Sequence, residues 1–206
     1  MNRSPYATLR TAAGNPENQD RGAVIPCGPR LVLVVADGAG GLSGGAEAAE
    51  MAVSLVRQNA DLLVDSGCCS SALQRMDQSI AKDMDAGETT CALAVVSDEQ
   101  VFGASVGDSG VWVIGETGLT DLTRGQSRKP FIGSGSAWPT QFARPVVSGE
   151  YLLLATDGLL KYAPPERIVA ACRGCAAEAA AQRLIELVRY PSAALPDDVT
   201  VILARL

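Results

Sequence analysis

The sequence predicts an α+β fold in which helices cover the outer faces of antiparallel sheets. Two observations support this prediction. Residues 89–122 contain four short β-rich runs in succession, joined by turns rich in Asp, Glu and Gly, which is typical of an antiparallel meander. The amphipathic helical patterns stand in groups between runs of strands instead of alternating singly with them, and this order favours α+β over α/β.

The first part of the chain predicts two strands and a helix. The strands cover residues 22–26 and 30–36, and the second is apolar throughout, so we expect it to be buried on both faces. A glycine-rich stretch at residues 38–45 leads into a helix whose apolar positions from Ala48 to Leu62 recur on one face.

A second helix and the meander follow. Ser70 is a good N-cap residue, and the apolar residues from Leu73 to Met84 form one stripe beyond it. The predicted strands of the meander cover residues 89–97, 100–106, 111–115 and 119–122.

The last third of the chain predicts two more strands and two helices. Residues 124–145 are polar and rich in Gly, Ser and Pro, which indicates a loop. Residues 151–156 form a buried strand, and Pro164 opens a short helix. A longer helix covers residues 176–189, and residues 199–206 close the chain as a strand.

The composition excludes several classes of protein. The chain has 206 residues, with 17 Lys and Arg against 23 Asp and Glu, and a net charge of −6. This length, without repeats or linkers, predicts a single domain over residues 1–206. The apolar runs are far shorter than the roughly 20 residues that span a bilayer, so we expect no membrane-spanning segment. Residues 1–6 lack the apolar stretch of a secretory signal, so we expect a cytoplasmic protein that does not bind a membrane. The acidic balance argues against a nucleic-acid partner.

The absence of histidine excludes the common nucleophilic triads and histidine-ligated zinc. Ser43 in a G-x-S-x-G pattern and Ser109 in Gly-Asp-Ser-Gly therefore lack a catalytic partner. The six cysteines are most simply small apolar residues. A redox or zinc role for Cys172 and Cys175 is the alternative, although a second C-x-x-C pair is absent.

Two buried strands end in the same dipeptide. Asp37-Gly38 follows residues 31–36, and Asp157-Gly158 follows residues 152–156. Asp-Gly alone usually marks a turn. At the end of an apolar strand, however, an unpaired carboxylate lies at the edge of the core, where its charge is destabilising unless a cation is shared there.

Further acidic residues occupy similar junctions between loops and strands. They are Asp20, Asp108 and Asp197. Each alone is typical of a turn or cap. Oxygen ligands without histidine select hard cations such as Mg²⁺ or Mn²⁺. A two-metal site of this type binds phosphate and generates hydroxide without an amino-acid nucleophile.

A series of motifs, in order from residue 18 to residue 200, resembles the metal-dependent Ser/Thr protein phosphatases of type 2C (the PPM family), particularly compact bacterial members. Each motif is weak singly, and the order makes the signal specific. The motifs are Asn18-Gln19-Asp20, the run from Val35 to Gly41, Glu88-Thr89-Thr90, Gly107-Asp108-Ser109, Leu122-Thr123, the run from Ala155 to Leu159, and the run from Asp197 to Thr200.

This resemblance implies a four-layer α-β-β-α sandwich of two mainly antiparallel sheets flanked by helices, with two Mn²⁺ or Mg²⁺ ions in a cleft at one edge. By matching position, Asp37 would bridge both ions and Gly38 would lend its backbone carbonyl to one. Asp157 and Asp197 would complete the other.

The remaining roles also follow from the resemblance. Asp20 would hold a metal-bound water in place, and Asp108 corresponds to a third, looser metal site. The implied reaction is attack of metal-activated water on phosphoserine or phosphothreonine. The implied partners are a phosphorylated protein and a Ser/Thr kinase whose action the enzyme opposes.

The sequence departs from the family pattern in its phosphate contacts. Asn15 stands where members often carry a phosphate-binding arginine, and Arg10 is the nearest candidate replacement. Residues 127–150 are too few for the usual flap subdomain. The basic residues just before and at the start of this stretch offer substrate contacts, or simply form a solvated surface. These residues are Arg124, Arg128 and Lys129.

These departures leave two other functions open. One is a catalytically weak module that binds a phosphorylated partner. The other is a phosphatase of small-molecule phosphates, because a cleft without a flap gives little room for contacts to a peptide.

Overall fold

The computed structural model describes residues 6–39, 44–116 and 118–206. Its strands form two five-stranded sheets in which every neighbouring pair is antiparallel. The strands are β1 (Tyr6–Ala12), β2 (Asp20–Cys27), β3 (Arg30–Asp37), β4 (Cys91–Val96), β5 (Gln100–Val106), β6 (Gly110–Gly115), β7 (Gly118–Asp121), β8 (Thr140–Pro145), β9 (Tyr151–Ala155) and β10 (Val199–Arg205). The first sheet has the order β1-β10-β9-β6-β7 and the second has the order β2-β3-β4-β5-β8.

Helices lie on the outer face of each sheet. They are α1 (Gly45–Gln58), α2 (Ser66–Ile80), α3 (Asp157–Leu160), α4 (Pro165–Cys172) and α5 (Ala177–Glu186). Helices α1 and α2 pack on the second sheet, and the other three pack on the first. Among these helices none combines the length and the apolar composition that crossing a membrane demands.

Three apolar clusters lie between the layers, and β3 contributes side chains to two of them. Val32 and Val34 face the layer of α1 and α2, whereas Leu33 and Val35 face the other sheet. Strand β9 divides its side chains in the same way. Central strands of a sandwich covered by helices have no solvent face, which explains why they are apolar throughout. The predicted four-layer α+β fold is confirmed.

The buried face of α1 differs from the predicted one. The helix buries Ala49, Val53 and Val56 together with the expected Ala48. Leu62, predicted to share this face, lies beyond the helix in a short 3₁₀ turn (Ala60–Leu62) and is 57% exposed. The prediction was wrong because it extended one periodicity through a break in the helix.

Helix α2 begins earlier than predicted. Asp65 is its N-cap, and the Asp65 carboxylate accepts a hydrogen bond from the Cys68 amide at 2.6 Å. Ser70 lies inside the helix, so the prediction of a cap there was wrong. The helix ends at Ile80, which leaves Met84 95% exposed. An aspartate cap satisfies a free amide as well as serine does, and local sequence does not decide between them.

The predicted meander is split between the two sheets. Strands β4 and β5 pair in the second sheet, while β6 and β7 pair in the first. The chain therefore crosses the sandwich at the turn containing Gly107 and Asp108. Strands β1 and β8 and helix α3 were not predicted. The two strands lie at sheet edges and bury few side chains, so their apolar pattern is weak.

Candidate functional site

Two acidic residues face each other on the second sheet. Asp20 begins β2 and Asp37 ends β3, and the antiparallel register pairs the two residues directly. Asp20 is buried and Asp37 is half-buried. Like charges directly opposite each other are unfavourable in a sheet, so this pair requires a compensating charge or a proton.

The first sheet brings further acidic residues to the same end of the sandwich. Asp157 lies just beyond the end of β9, after Thr156, and Asp197 lies just before the antiparallel β10, ahead of Asp198. Asp108 lies in the turn that leads into β6, which also pairs with β9. We call Asp20, Asp37, Asp108, Asp157 and Asp197 the acidic cluster. The structure thus brings together every acidic residue that the sequence identified.

Thr156 joins the two sheets at this cluster. Its hydroxyl donates to Asp20 Oδ2 at 2.8 Å and accepts from the Thr200 amide at 2.9 Å. Thr156 holds the N-cap position of α3, but its side chain makes no capping hydrogen bond. The hydroxyl instead fixes one oxygen of a carboxylate on the opposite sheet. The sequence indicates this threonine only as part of a motif, because no local pattern shows its partner on the opposite sheet.

Two threonines before β4 hold the backbone of Asp37. The Asp37 carbonyl accepts from the Thr90 amide at 2.8 Å and from the Thr89 hydroxyl at 2.9 Å. The Asp37 amide donates to Thr90 Oγ1 at 3.1 Å, and Thr90 Oγ1 lies 2.6 Å from Ser109 Oγ. These contacts leave the Asp37 side chain free to act and give Ser109 a structural role.

The two Asp-Gly dipeptides are sites of close backbone approach. Neither Gly38 nor Gly158 has a positive φ. A Cβ atom at Gly158 would lie 1.9 Å from the Asp198 carbonyl oxygen, and one at Gly38 would lie 2.4 Å from the Gly45 carbonyl group. Glycine is therefore required by space at both positions, and the turn interpretation is wrong for them.

Asp198 serves a different purpose from Asp197. Its Oδ1 accepts from the amides of Gly14 and Asn15 at 2.8 and 3.0 Å, and its Oδ2 accepts from the Gln19 amide at 2.9 Å. This buried carboxylate is thus committed to the backbone before β2. Asp197 Oδ1 accepts from the Asp198 amide at 3.0 Å and from Asn15 Nδ2 at 3.1 Å.

Burial and mutual repulsion disfavour the ionised form of the cluster. Burial, followed by the charges of Asp20 and Asp157, raises the pKa of Asp37 to about 9. Burial raises the pKa of Asp20 to about 7, although the Thr156 hydrogen bond opposes this shift. The pKa of Asp157 is also raised, first by burial and then by Asp108. A bound cation would stabilise all these anions at once.

The donor chemistry of the cluster fits a divalent cation. Asp20 Oδ1 is buried and has no hydrogen-bond partner within the described residues. Hard cations such as Mg²⁺ and Mn²⁺ prefer carboxylate oxygens. In the part of the chain that the structure describes, however, no three acidic or cysteine side chains are arranged to hold a metal ion. The individual ligands therefore stay a prediction.

Two basic side chains act on the cluster. Arg128 Nε lies 2.6 Å from Asp108 Oδ2, and both Lys161 and Arg128 oppose the increase in the pKa of Asp157. Arg10 lies elsewhere. A hydrogen bond from Tyr6 lowers the pKa of Glu178, and the charge of Arg10 lowers it further.

The other sequence candidates gain no support. Burial raises the pKa of Cys172 to about 12, which disfavours the reactive thiolate. All six cysteines are free. Ser43 and the second half of the glycine motif, residues 40–43, lie outside the described residues.

The fold has close counterparts among solved structures. Among curated proteins no sequence matches the chain. A bacterial serine phosphatase variant superimposes with a TM-score of 0.87 at 22% identity, covering 100% of both chains. The catalytic domain of the serine/threonine phosphatase PstP in complex with two manganese ions gives a TM-score of 0.82 at 23% identity, covering 98% of this chain and 97% of that one. Stp1 from Staphylococcus aureus gives 0.83 at 20% identity, covering 100% and 96%.

The structural likenesses show that the fold is the one that the resemblance to type 2C phosphatases implied. The family model described as Stage II sporulation protein E (SpoIIE) matches residues 28–206. This match spans the meander, both Asp-Gly dipeptides and the last strand, and it begins after Asp20. The chain therefore belongs to the PP2C-like SpoIIE family.

Proposed function

We propose that this protein hydrolyses phosphoserine and phosphothreonine in proteins, using two Mn²⁺ or Mg²⁺ ions. The observation that carries the proposal is the acidic cluster, in which carboxylates from both sheets converge and the pKa values of Asp20 and Asp37 are raised. Membership of the SpoIIE family and the likeness to PstP with its manganese ions support it.

Different residues of the acidic cluster would hold the two ions. Asp37 would bridge them, with the Gly38 carbonyl on one side and with Asp157 and Asp197 on the other. When bound, the ions supply an activated water and neutralise phosphoryl charge. Asp108 would serve a third ion.

Asp20 would orient the nucleophilic water. Thr156 occupies Oδ2 of Asp20, so Oδ1 remains to accept a proton from water. In the metal-free protein the pKa of this carboxyl is raised to about 7, so a proton and a bound cation would compete for it near neutral pH. The backbone contacts of Thr89 and Thr90 would keep Asp37 in place during the reaction.

The substrate would be a phosphorylated protein, and the enzyme would oppose a Ser/Thr kinase. A single domain over residues 1–206 and a cytoplasmic location remain predictions. The six free cysteines agree with a reducing compartment.

The test is hydrolysis of a phosphothreonine peptide with added Mn²⁺ or Mg²⁺. We expect turnover only with metal, and none in Asp37→Asn or Asp157→Asn. Asp61→Asn, which removes an exposed carboxylate outside the cluster, should keep the activity. Full turnover in excess chelator would refute the proposal.

Two observations favour the alternative of a weak phosphoprotein-binding module. Asn15 stands where members of the family often carry a phosphate-binding arginine, and the described residues contain no preformed group of metal ligands. Calorimetry that shows phosphopeptide binding without turnover, with metal present, would establish it. A phosphatase of small-molecule phosphates would instead hydrolyse metabolites faster than phosphopeptides in side-by-side assays.

A further inference from the structure

A phosphate substrate needs a cation from the protein, and the expected positions do not supply one. Residue 15 is asparagine, and its side-chain amide donates to Asp197 Oδ1. Arg10 acts on Tyr6 and Glu178 instead of the acidic cluster. A phosphate monoester approaching several carboxylates meets repulsion that a basic side chain beside the cluster would relieve together with the metal ions.

Arg128 lies beside the cluster. Its Nε contacts Asp108 Oδ2 at 2.6 Å, and its side chain is 67% exposed. Among the contacts between described residues, the Arg128 guanidinium uses only its Nε, so both of its Nη groups remain for a ligand. Arginine binds phosphate with two parallel hydrogen bonds, which suits this arrangement.

The loop that carries Arg128 is fixed on the side that precedes this residue. Gln126 Nε2 donates to the Ser109 carbonyl at 2.7 Å, and Gln126 Oε1 accepts from the Ser105 hydroxyl. Ser109 in turn contacts Thr90, which holds Asp37. The position of Arg128 is thus tied through a few hydrogen bonds to the centre of the acidic cluster.

The same loop is fixed after Arg128. Ile132 and Thr89 exchange two backbone hydrogen bonds of 2.9 Å each. The buried carboxylate of Asp77 then accepts from the amides of Gly133, Gly135 and Ala137 at 2.8 to 3.1 Å. A loop held on both sides can present one side chain reproducibly.

We propose that Arg128 binds the phosphate group of the substrate and replaces the arginine that is missing at position 15. The inference rests on the proposed function and adds a substrate-binding residue to it. While it carries no third ion, Asp108 holds the guanidinium beside the cluster through Nε, and the Nη groups donate to two phosphoryl oxygens.

Other nearby cations suit this role less well. The Lys129 ammonium stacks over the Phe131 ring at 5.4 Å, and the Lys161 ammonium stacks over the Tyr162 ring at 5.1 Å. A lysine also offers a point charge without the planar pair of donors.

The experiment compares Arg128→Gln, Arg128→Lys and the wild type, each loaded with Mn²⁺. Binding of inorganic phosphate is measured by calorimetry, and KM and kcat are measured with a phosphothreonine peptide. Arg57→Gln removes the same charge from an exposed site at the end of α1 and serves as the control.

We expect Arg128→Gln to weaken phosphate binding and raise KM by about tenfold or more, the effect of losing charge-assisted hydrogen bonds. The loss in kcat should be smaller, Arg128→Lys should recover part of the affinity, and Arg57→Gln should match the wild type.

The two proposals fail in different ways. If the wild type is active with metal while Arg128→Gln binds phosphate and peptide equally well, the role of Arg128 is refuted and the phosphatase stands. An effect in Arg128→Gln no larger than that in Arg57→Gln refutes the role too. If the wild type shows neither turnover nor phosphate binding with metal, the proposed function itself fails.

Discussion

Asp37→Asn should stabilise the metal-free protein even though it abolishes metal binding. The substitution removes a carboxylate that is half-buried and faces other acids. It leaves the contacts with Thr89 and Thr90 intact, because these use the backbone of Asp37. The change in the free energy of unfolding therefore reports the charge alone.

The magnitude follows from the pKa of Asp37, which the fold raises from 3.8 to about 9. At pH 8 the folded protein must keep this carboxyl protonated while the unfolded chain ionises it freely. Each pH unit above the unfolded pKa then disfavours folding by about 1.4 kcal/mol. The upper limit at pH 8 is about 6 kcal/mol, and we expect a gain of about 2 kcal/mol or more on substitution, since side chains relax.

The sign of the pH dependence is fixed by the direction of the shift. A folded-state pKa above the unfolded value means that the folded protein binds the proton more tightly. The stability that this proton confers is complete below about pH 4 and is lost as the pH rises toward 9. The stability of the metal-free wild type should fall over this window, and that of Asp37→Asn should fall less.

The assay is urea unfolding in chelator at pH 5 and pH 8, followed by the fluorescence of the buried Trp112. Added Mn²⁺ should raise the midpoint for the wild type and leave it unchanged for Asp37→Asn. Asp61→Asn is the control for loss of an exposed carboxylate. If Asp37→Asn is no more stable than the wild type at pH 8 in chelator, the electrostatic argument is wrong.

Three further substitutions test single contacts. Asp198→Ala leaves three backbone amides without their acceptor. It should lower the free energy of unfolding, measured in urea, by about 3 kcal/mol. A loss below about 1 kcal/mol would contradict this. Asp77→Ala removes the acceptor for three loop amides and should speed hydrogen exchange there, so unchanged exchange would count against it. Thr156→Val removes the hydrogen bond that opposes the rise in the pKa of Asp20. Its rate profile should move to higher pH, and an unmoved profile would show that Asp20 does not titrate in the reaction.

The apolar strands and the acidic cluster were predictable from the sequence because their signals are local. Residues 31–36 are apolar without interruption, and each predicted acid lies next to a strand end. The order of the motifs then indicated that these residues meet. The structure brings them to one end of the sandwich, as that order implied.

Other features depend on contacts between distant parts of the chain. The turn at Gly107 leads from one sheet to the other, which no local pattern distinguishes from a hairpin. Thr156 looks like an ordinary cap until its partner on the opposite sheet is known. Asp198 resembles Asp197 in sequence, and only the segment before β2 shows that its carboxylate is occupied.

The hydrogen bond between Asp198 and the backbone of Gly14 joins residues 184 positions apart, and β1 pairs with β10 across a still longer separation. Loop closure over such distances makes folding slow. During synthesis the ribosome must release β10 before the first strand finds its neighbour. Until then Asp20 lacks its surroundings, so a nascent chain cannot complete the acidic cluster before β10 has been synthesised.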